Sequence, residues 1–277
     1  MGDMKKMVTF LAAAMLLAGC GDDSGTNNEE FNSMVPRCET CEYGSLTDVR
    51  DNQVYRTIKI GNQWWMAENL RFAYAQRTAE LDSSSACIEN DLEKCREFGR
   101  FYTWSAAMDS AGLFSTNGLG CGDGNEICNR TFPVRGICPE GWHLPSSDEV
   151  KNLFLVVGGT NDSEDITHWS NVGTKLTVCE GVNIYGFGAV SPVDRMEFCD
   201  DHDGDIFLEC NRYFFWWNAD HEEVSKHRID FWTSSLTGFR SYPSEGIWGL
   251  RCYDDMAYID NKAETSDGLQ YIRCVKD

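Results

Sequence analysis

The chain has 277 residues, with 44 acidic against 24 basic side chains, a formal charge of −20 and 42% hydrophobic residues, enough for one large folded domain or two small ones. So acidic a surface repels phosphate backbones and anionic lipid, which excludes nucleic acid as a partner despite the 12% aromatic content. Thirteen cysteines point to an oxidising compartment, and the odd number requires one of them to be used differently from the rest.

At the N-terminus, Lys5 and Lys6 precede the apolar run from Met7 to Ala18, the pattern of a targeting segment rather than of a domain. Twelve apolar residues fall short of the about 20 that a helix needs to cross a hydrocarbon core, so the run is not read as a permanent span. It closes on Leu17-Ala18-Gly19-Cys20, which resembles the bacterial lipobox. That resemblance implies acylation of the Cys20 thiol and removal of residues 1–19, leaving the acyl chains as the membrane anchor. Cleavage takes away Lys5, Lys6 and Asp3, so 258 residues with a charge of −21 remain. The expected location is the cell envelope, lipid-anchored at the outer membrane, on a side that the sequence does not fix. Asp22 and Asp23 resemble the acidic surface-export signal of some bacterial lipoproteins.

From Gly21 to about Arg37 the chain is Gly, Asp, Ser, Asn and Glu with scattered apolar residues, too little to bury a core. Residues 20–42 are therefore expected to form a lipidated, acidic tether and residues 43–277 a single domain. Within it, Leu46 to Arg50, Val54 to Ile60 and Gln63 to Met66 read as strands of a meander, separated by turns at Asp51-Asn52 and Gly61-Asn62. Val54, Ile58 and Ile60 share one face at period two, with Tyr55, Thr57 and Lys59 on the other. Trp104 to about Ser110 predicts a short helix. The clearest helix follows Pro145: Ser146 caps it, Glu149 sits in capping-box register, Val150, Leu153, Phe154 and Val157 supply the apolar stripe, and Gly158-Gly159 ends it. No other stretch offers a long amphipathic period, and the second half reads as short strands joined by Gly and Asp turns.

With Cys20 lipidated, twelve cysteines remain for six bridges. Local spacing suggests Cys38 with Cys41, Cys87 with Cys95, Cys121 with Cys128 and Cys199 with Cys210, although spacing alone fixes no connectivity. Cys38-x-x-Cys41 is better read as a bridge than as a metal or redox site. A zinc ribbon needs a second pair at comparable spacing, whereas Cys121 and Cys128 have six residues between them, and a thioredoxin-like pair opens a helix after a strand.

Three groups have binding chemistry. Asp201, Asp203 and Asp205 alternate around Gly204, and Asp123, Asn125 and Glu126 cluster between cysteines; both offer hard oxygen ligands to calcium, and neither completes a calcium-loop pattern. Trp216 and Trp217, beside Tyr213, Phe214 and Phe215 and followed by Asn218, Asp220 and His221, could form a platform on which sugar rings stack while amide and carboxylate bond hydroxyls. Core packing competes for the same residues. His143, His168, His202, His221 and His227 are scattered, and neither a Gly-x-Ser-x-Gly elbow nor a His-Glu-x-x-His helix is present, so no catalytic residue is assigned.

The wording of several patches carries a resemblance. They are Thr47-Asp48-Val49-Arg50-Asp51; Gly61-Asn62-Gln63-Trp64-Trp65-Met66-Ala67-Glu68-Asn69-Leu70; Gly99-Arg100-Phe101-Tyr102-Thr103-Trp104; Gly136-Ile137-Cys138-Pro139-Glu140-Gly141-Trp142-His143-Leu144-Pro145; Phe231-Trp232-Thr233-Ser234-Ser235; and the closing Arg273-Cys274-Val275-Lys276-Asp277. From about Thr47 to the C-terminus the chain resembles the Fibrobacter succinogenes major paralogous domain, a set of exported bacterial proteins, many of them lipoproteins, without an established activity. The resemblance implies a bridge from Cys138 to Cys274 tying the entrance of the central helix to the last strand, which leaves Cys179 for Cys252. Its Gly-Trp-His-Leu-Pro segment is similar to the Leu-Pro-Thr-x-x-Glu-Trp pattern of sulfatase-modifying-factor and C-type-lectin-like folds, with Val150 where a tryptophan is often found. The implied fold is a loop-rich, disulfide-stapled, C-type-lectin-like α+β domain of short antiparallel strands.

Three functions are compatible with these features. The first is a non-enzymatic surface module, held by lipid and binding a polysaccharide or protein, with calcium as an optional cofactor. The second is an extracytoplasmic enzyme acting on carbohydrate or protein, and the third is a structural envelope protein. A concave site gathering carboxylates or histidines favours the enzyme, and an open, partly aromatic surface favours the binder.

Overall fold

A computed structural model describes residues 38–75, 84–121, 130–161, 168–178, 183–190, 228–237, 244–251, 255–261 and 269–277. The chain opens with a meander, β1 (Tyr43–Thr47), β2 (Val54–Ile60) and β3 (Gln63–Met66). β1 lies three residues earlier than the apolar pattern of Leu46 to Arg50 suggests. Asp48 is the cause: its side chain is buried, its Oδ1 accepts from the Arg50 backbone N–H at 3.1 Å, and its carbonyl accepts from Asn52 N at 2.8 Å, so a loop opens at residue 48. Asn52, with φ of 60°, turns the chain back.

The faces of β2 separate at period two, and both are buried. Ile58 and Ile60 enter one apolar cluster and Tyr55 the other, while Val54 at the strand's start is exposed. Its neighbour β3 divides likewise, with Trp65 on the first side and Met66 on the second. The meander is thus the middle layer between two cores. The last strand, β11 (Val275–Lys276), returns to pair with β3 at Val275↔Trp65 and with β6 (Trp142–His143) at Val275↔His143, giving the antiparallel order β1-β2-β3-β11-β6. The bridge between Cys138 and Cys274 lies beside this junction, with both residues fully buried.

A second antiparallel sheet has the order β7-β10-β9-β8, from β7 (His168–Ser170), β8 (Arg228–Thr237), β9 (Ser244–Arg251) and β10 (Met256–Asn261). At ten and eight residues, β8 and β9 correct the expectation of short strands in the second half. The polar run Thr233-Ser234-Ser235 conceals β8; the register shifts between Trp232 and Leu236 and then resumes. Two residues each of β4 (Ser85–Ala86) and β5 (Phe101–Tyr102) form a small third ladder.

Four α-helices are described: α1 (Leu92–Phe98), α2 (Trp104–Ala107), α3 (Ser147–Val156) and α4 (Gly173–Leu176). In α3 the Ser146 hydroxyl accepts from Glu149 N at 3.3 Å and the Glu149 carboxylate accepts from Ser146 N at 2.8 Å, the reciprocal pair that the spacing predicts. Val150, Leu153 and Phe154 bury its inner face, each contributing about 1.5–3 kcal/mol. They pack where the two sheets meet: Phe154 lies 5.7 Å from Trp169 and 6.0 Å from Trp248, which stacks on Phe231 at 4.5 Å.

α2 stops at Ala107, short of Ser110, because Asp109 takes a left-handed φ of 53° and turns its carboxylate to a loop. That carboxylate accepts from the backbone N–H groups of Leu113, Phe114 and Ser115 and from the Tyr74 hydroxyl. α1, which no long period announces, is about two turns capped by Asp91, whose side chain accepts from Glu93 N at 2.8 Å.

Candidate functional site

The end of β2 and the chain that leads into β1 form one wall of an open groove. Cys38 and Cys41 are bridged, their Cα atoms 5.5 Å apart, and the Cys38 N–H donates to the Tyr43 hydroxyl at 3.1 Å. This fastens the chain to the start of β1 and brings Thr40, Cys41 and Glu42 beside Lys59 and Ile60 of β2. The opposite wall is Ile184 and Tyr185, on a loop held against the same strand: the Cys41 sulfur lies 3.7 Å from the Ile184 carbonyl. Gly186 makes the close approach possible, since a Cβ there would run into the Tyr43 hydroxyl and its φ of 68° favours glycine.

The groove encloses about 550 Å³ and is open to solvent along its length. Its volume lies within the range of small-ligand sites, about 300–1,000 Å³. Its apolar lining is Ile60 on the near wall and, on the opposite one, half-buried Tyr185 and Ile184, which is 52% exposed. Its rim is polar, with Thr40 and with Lys59 and Glu42 paired at 3.1 Å. The pair cancels its own charge, so the walls present hydrogen-bonding groups without a net field. Residues of this kind suit a ligand that offers apolar faces and hydroxyls, and the cysteine among them is in a bridge.

His143 sits in the sheet rather than in a cleft. Its Nδ1 lies 2.7 Å from Asp277 Oδ1 and its Nε2 2.8 Å from Glu149 Oε1. Burial pushes its pKa down, but the hydrogen bonds to Glu149 and Asp277 and their charges outweigh that and raise it above its ordinary value. Burial likewise pushes Glu149 up, while the imidazole and the Ser146 backbone and hydroxyl donors bring it below its ordinary value. With both ring nitrogens occupied, His143 ties the last residue of the chain to the first turn of α3 and leaves no lone pair for a substrate.

Of the bridges suggested by the sequence, the structure forms Cys38–Cys41, Cys87–Cys95 and Cys138–Cys274. Cys121 is also in a disulfide, and Cys128, Cys179, Cys199, Cys210 and Cys252 lie outside the described residues. So do Cys20, the aromatic candidates Trp216, Trp217, Asn218 and Asp220, and the carboxylates Asp201, Asp203, Asp205, Asp123 and Glu126 with Asn125. Among the described residues no group of three His, Cys, Asp or Glu side chains is placed to hold a metal ion, and no helix is long and apolar enough to cross a membrane.

The model of the Fibrobacter succinogenes major domain matches residues 58–276, more than three quarters of the chain. The chain belongs to this family. The match begins within β2 and ends within β11, so it takes in β3, α3 and the second sheet, while Cys38–Cys41, β1 and the groove residues Thr40, Cys41 and Glu42 precede it. No curated protein and no solved structure matches the chain.

Sequence reasoning did not single out Thr40, Glu42, Lys59, Ile184 or Tyr185. The two walls are more than a hundred residues apart, and neither carries a motif. The one available signal is Cys38-x-x-Cys41, a bridge in a place where a plain tether needs none.

Proposed function

We propose that this family member is a lipid-anchored envelope protein whose domain is a non-enzymatic binding module for neutral polysaccharide, displayed outside the cytoplasm. The observation that carries this reading is the open groove, with apolar side chains on both walls and a charge pair on its rim. Glycan rings present apolar C–H faces and hydroxyl edges, which apolar Tyr185, Ile60 and Ile184 and polar Thr40, Glu42 and Lys59 complement. A chain of charge −20 disfavours acidic polymers, and the paired rim disfavours strongly charged peptides.

Cys20 supplies the anchor through its lipobox, and the groove opens within a few residues of the tether's end. A C-type-lectin-like arrangement is supported by the return of β11 to the N-terminal sheet, by the bridge from Cys138 to Cys274, and by the step from Gly-Trp-His-Leu-Pro into capped α3. Calcium held by Asp201, Asp203 and Asp205 would be a second element of such a module.

A glycan panel run with and without chelator tests ligand class and calcium together. The full chain should be retained by at least one neutral polysaccharide, and Tyr185→Ala should weaken retention roughly tenfold. Retention by a protein ligand alone, or equal retention of wild type and variant, contradicts the assignment. Protease treatment of whole cells should remove the domain.

A further inference from the structure

The last strand brings a buried cation into the interior. Arg273 is 2% exposed, and its guanidinium is held by three neutral acceptors: Nε donates to Asn69 Oδ1 at 2.7 Å, Nη1 to the Phe187 carbonyl, and Nη2 to the Gly188 carbonyl at 3.0 Å. Among the described residues no carboxylate bonds it, and two of its five N–H groups are unused in these contacts. Burial pushes it down to about 9, still far enough above neutrality for it to be charged.

Arg273 lines a small chamber with Arg56, Arg71, Glu68, Glu97 and Asn69. Three guanidiniums against two carboxylates leave one positive charge. Glu68 neutralises its neighbours loosely. Its Oε2 accepts from the Arg56 backbone N–H at 2.5 Å, and its Oε1 stands 3.9 Å from Arg56 Nε and 3.6 Å from Arg71 Nη1, both beyond a hydrogen bond. Arg56 Nε is buried without a hydrogen-bond partner among the described residues. Arg71 spends Nε on Gln53 and Nη2 on the Val54 carbonyl.

The chamber measures about 20 Å³, room for a single particle of water size or slightly larger. Phosphate, sulfate and carboxylate ligands are too large. Gly99 lines the same chamber, and a Cβ there would run into Asn69 Cβ, the side chain that carries the amide on Arg273. Leaving a net cation buried beside an unpaired N–H is costly, and one monovalent anion among these donors removes both costs.

We infer that this chamber is a binding site for a monatomic anion of chloride size, held by Arg56, Arg71 and Arg273. Its place between β2, the end of β3 and the run into β11 makes the anion a stabiliser of the junction through which the C-terminus joins the first sheet. Sugar binding in the groove plays no part in it.

The test compares thermal unfolding of the full chain in sodium chloride and sodium gluconate at constant ionic strength. Above its dissociation constant, each tenfold rise in chloride should raise Tm by about 3–5 °C, and gluconate should not. Arg56→Met, at a partly exposed side chain, should abolish the difference, and Lys151→Met on the outer face of α3 should preserve it. Crystals grown in bromide should show an anomalous peak within bonding reach of Arg56 and Arg273. Equal Tm in the two salts, or a water only at that position, overturns the inference whether or not the Arg56 variant folds.

Discussion

Removing the bridge between Cys138 and Cys274 should cost far more than removing the one between Cys38 and Cys41. The two cross-links close loops of very different length, 136 residues apart in sequence against 3. In the chain-entropy model these separations correspond to about 5 and about 2 kcal/mol. Cys87–Cys95 lies outside the long loop and leaves its length unchanged. Against a typical total of about 5–15 kcal/mol, the first loss is a third or more of the stability and the second a modest fraction. The assay is equilibrium unfolding in urea of the Cys138→Ala/Cys274→Ala and Cys38→Ala/Cys41→Ala double variants, each free of stray thiols. Burial of Cys138 and Cys274 adds a small cavity to the first, in the same direction. If the two variants lie within about 1 kcal/mol of each other, loop length does not govern this framework and the reasoning fails.

Other outcomes follow from single contacts. Ser146→Ala removes one half of the capping box and should cost about 1 kcal/mol, read from the urea midpoint. Phe154→Ala, between Trp169 and Trp248, should cost about 3–5 kcal/mol and shift tryptophan emission to the red. His143 is raised above its ordinary 6.5, so its stabilisation is complete below that value and is lost as pH rises through the folded pKa. Glu149 is lowered from 4.5, so its share is complete above that value and is lost as pH falls through its folded pKa. Tm measured against pH should therefore peak between about 4.5 and 6.5, and His143→Asn should flatten the fall on the alkaline side.

What could be read in the sequence is what local chemistry decides. Ser146 and Glu149 announce α3 because the cap is a contact across three residues, and β2 and β3 announce themselves through β-branched and aromatic runs. The start of β1 was not legible, because a buried Asp48 ends that strand through contacts with its own loop while Val49, exposed, mimics a strand residue. α1 was missed because seven residues with Cys95 and Phe98 inward make too few turns for a period to show. The groove was beyond reach of any local reading. Its walls meet only because Gly186 lets a distant loop press on Tyr43. Arg273 stood in a recognisable closing motif, but its burial comes from Asn69, Phe187 and Gly188, none of them near it in sequence.

The most direct test of a groove-based binding module is a pair of binding isotherms, wild type and Tyr185→Ala, on a neutral polysaccharide that retains the full chain. The groove predicts saturable binding that weakens roughly tenfold in the variant at unchanged Tm. Isotherms that superimpose would show that ligand contact lies elsewhere on the domain.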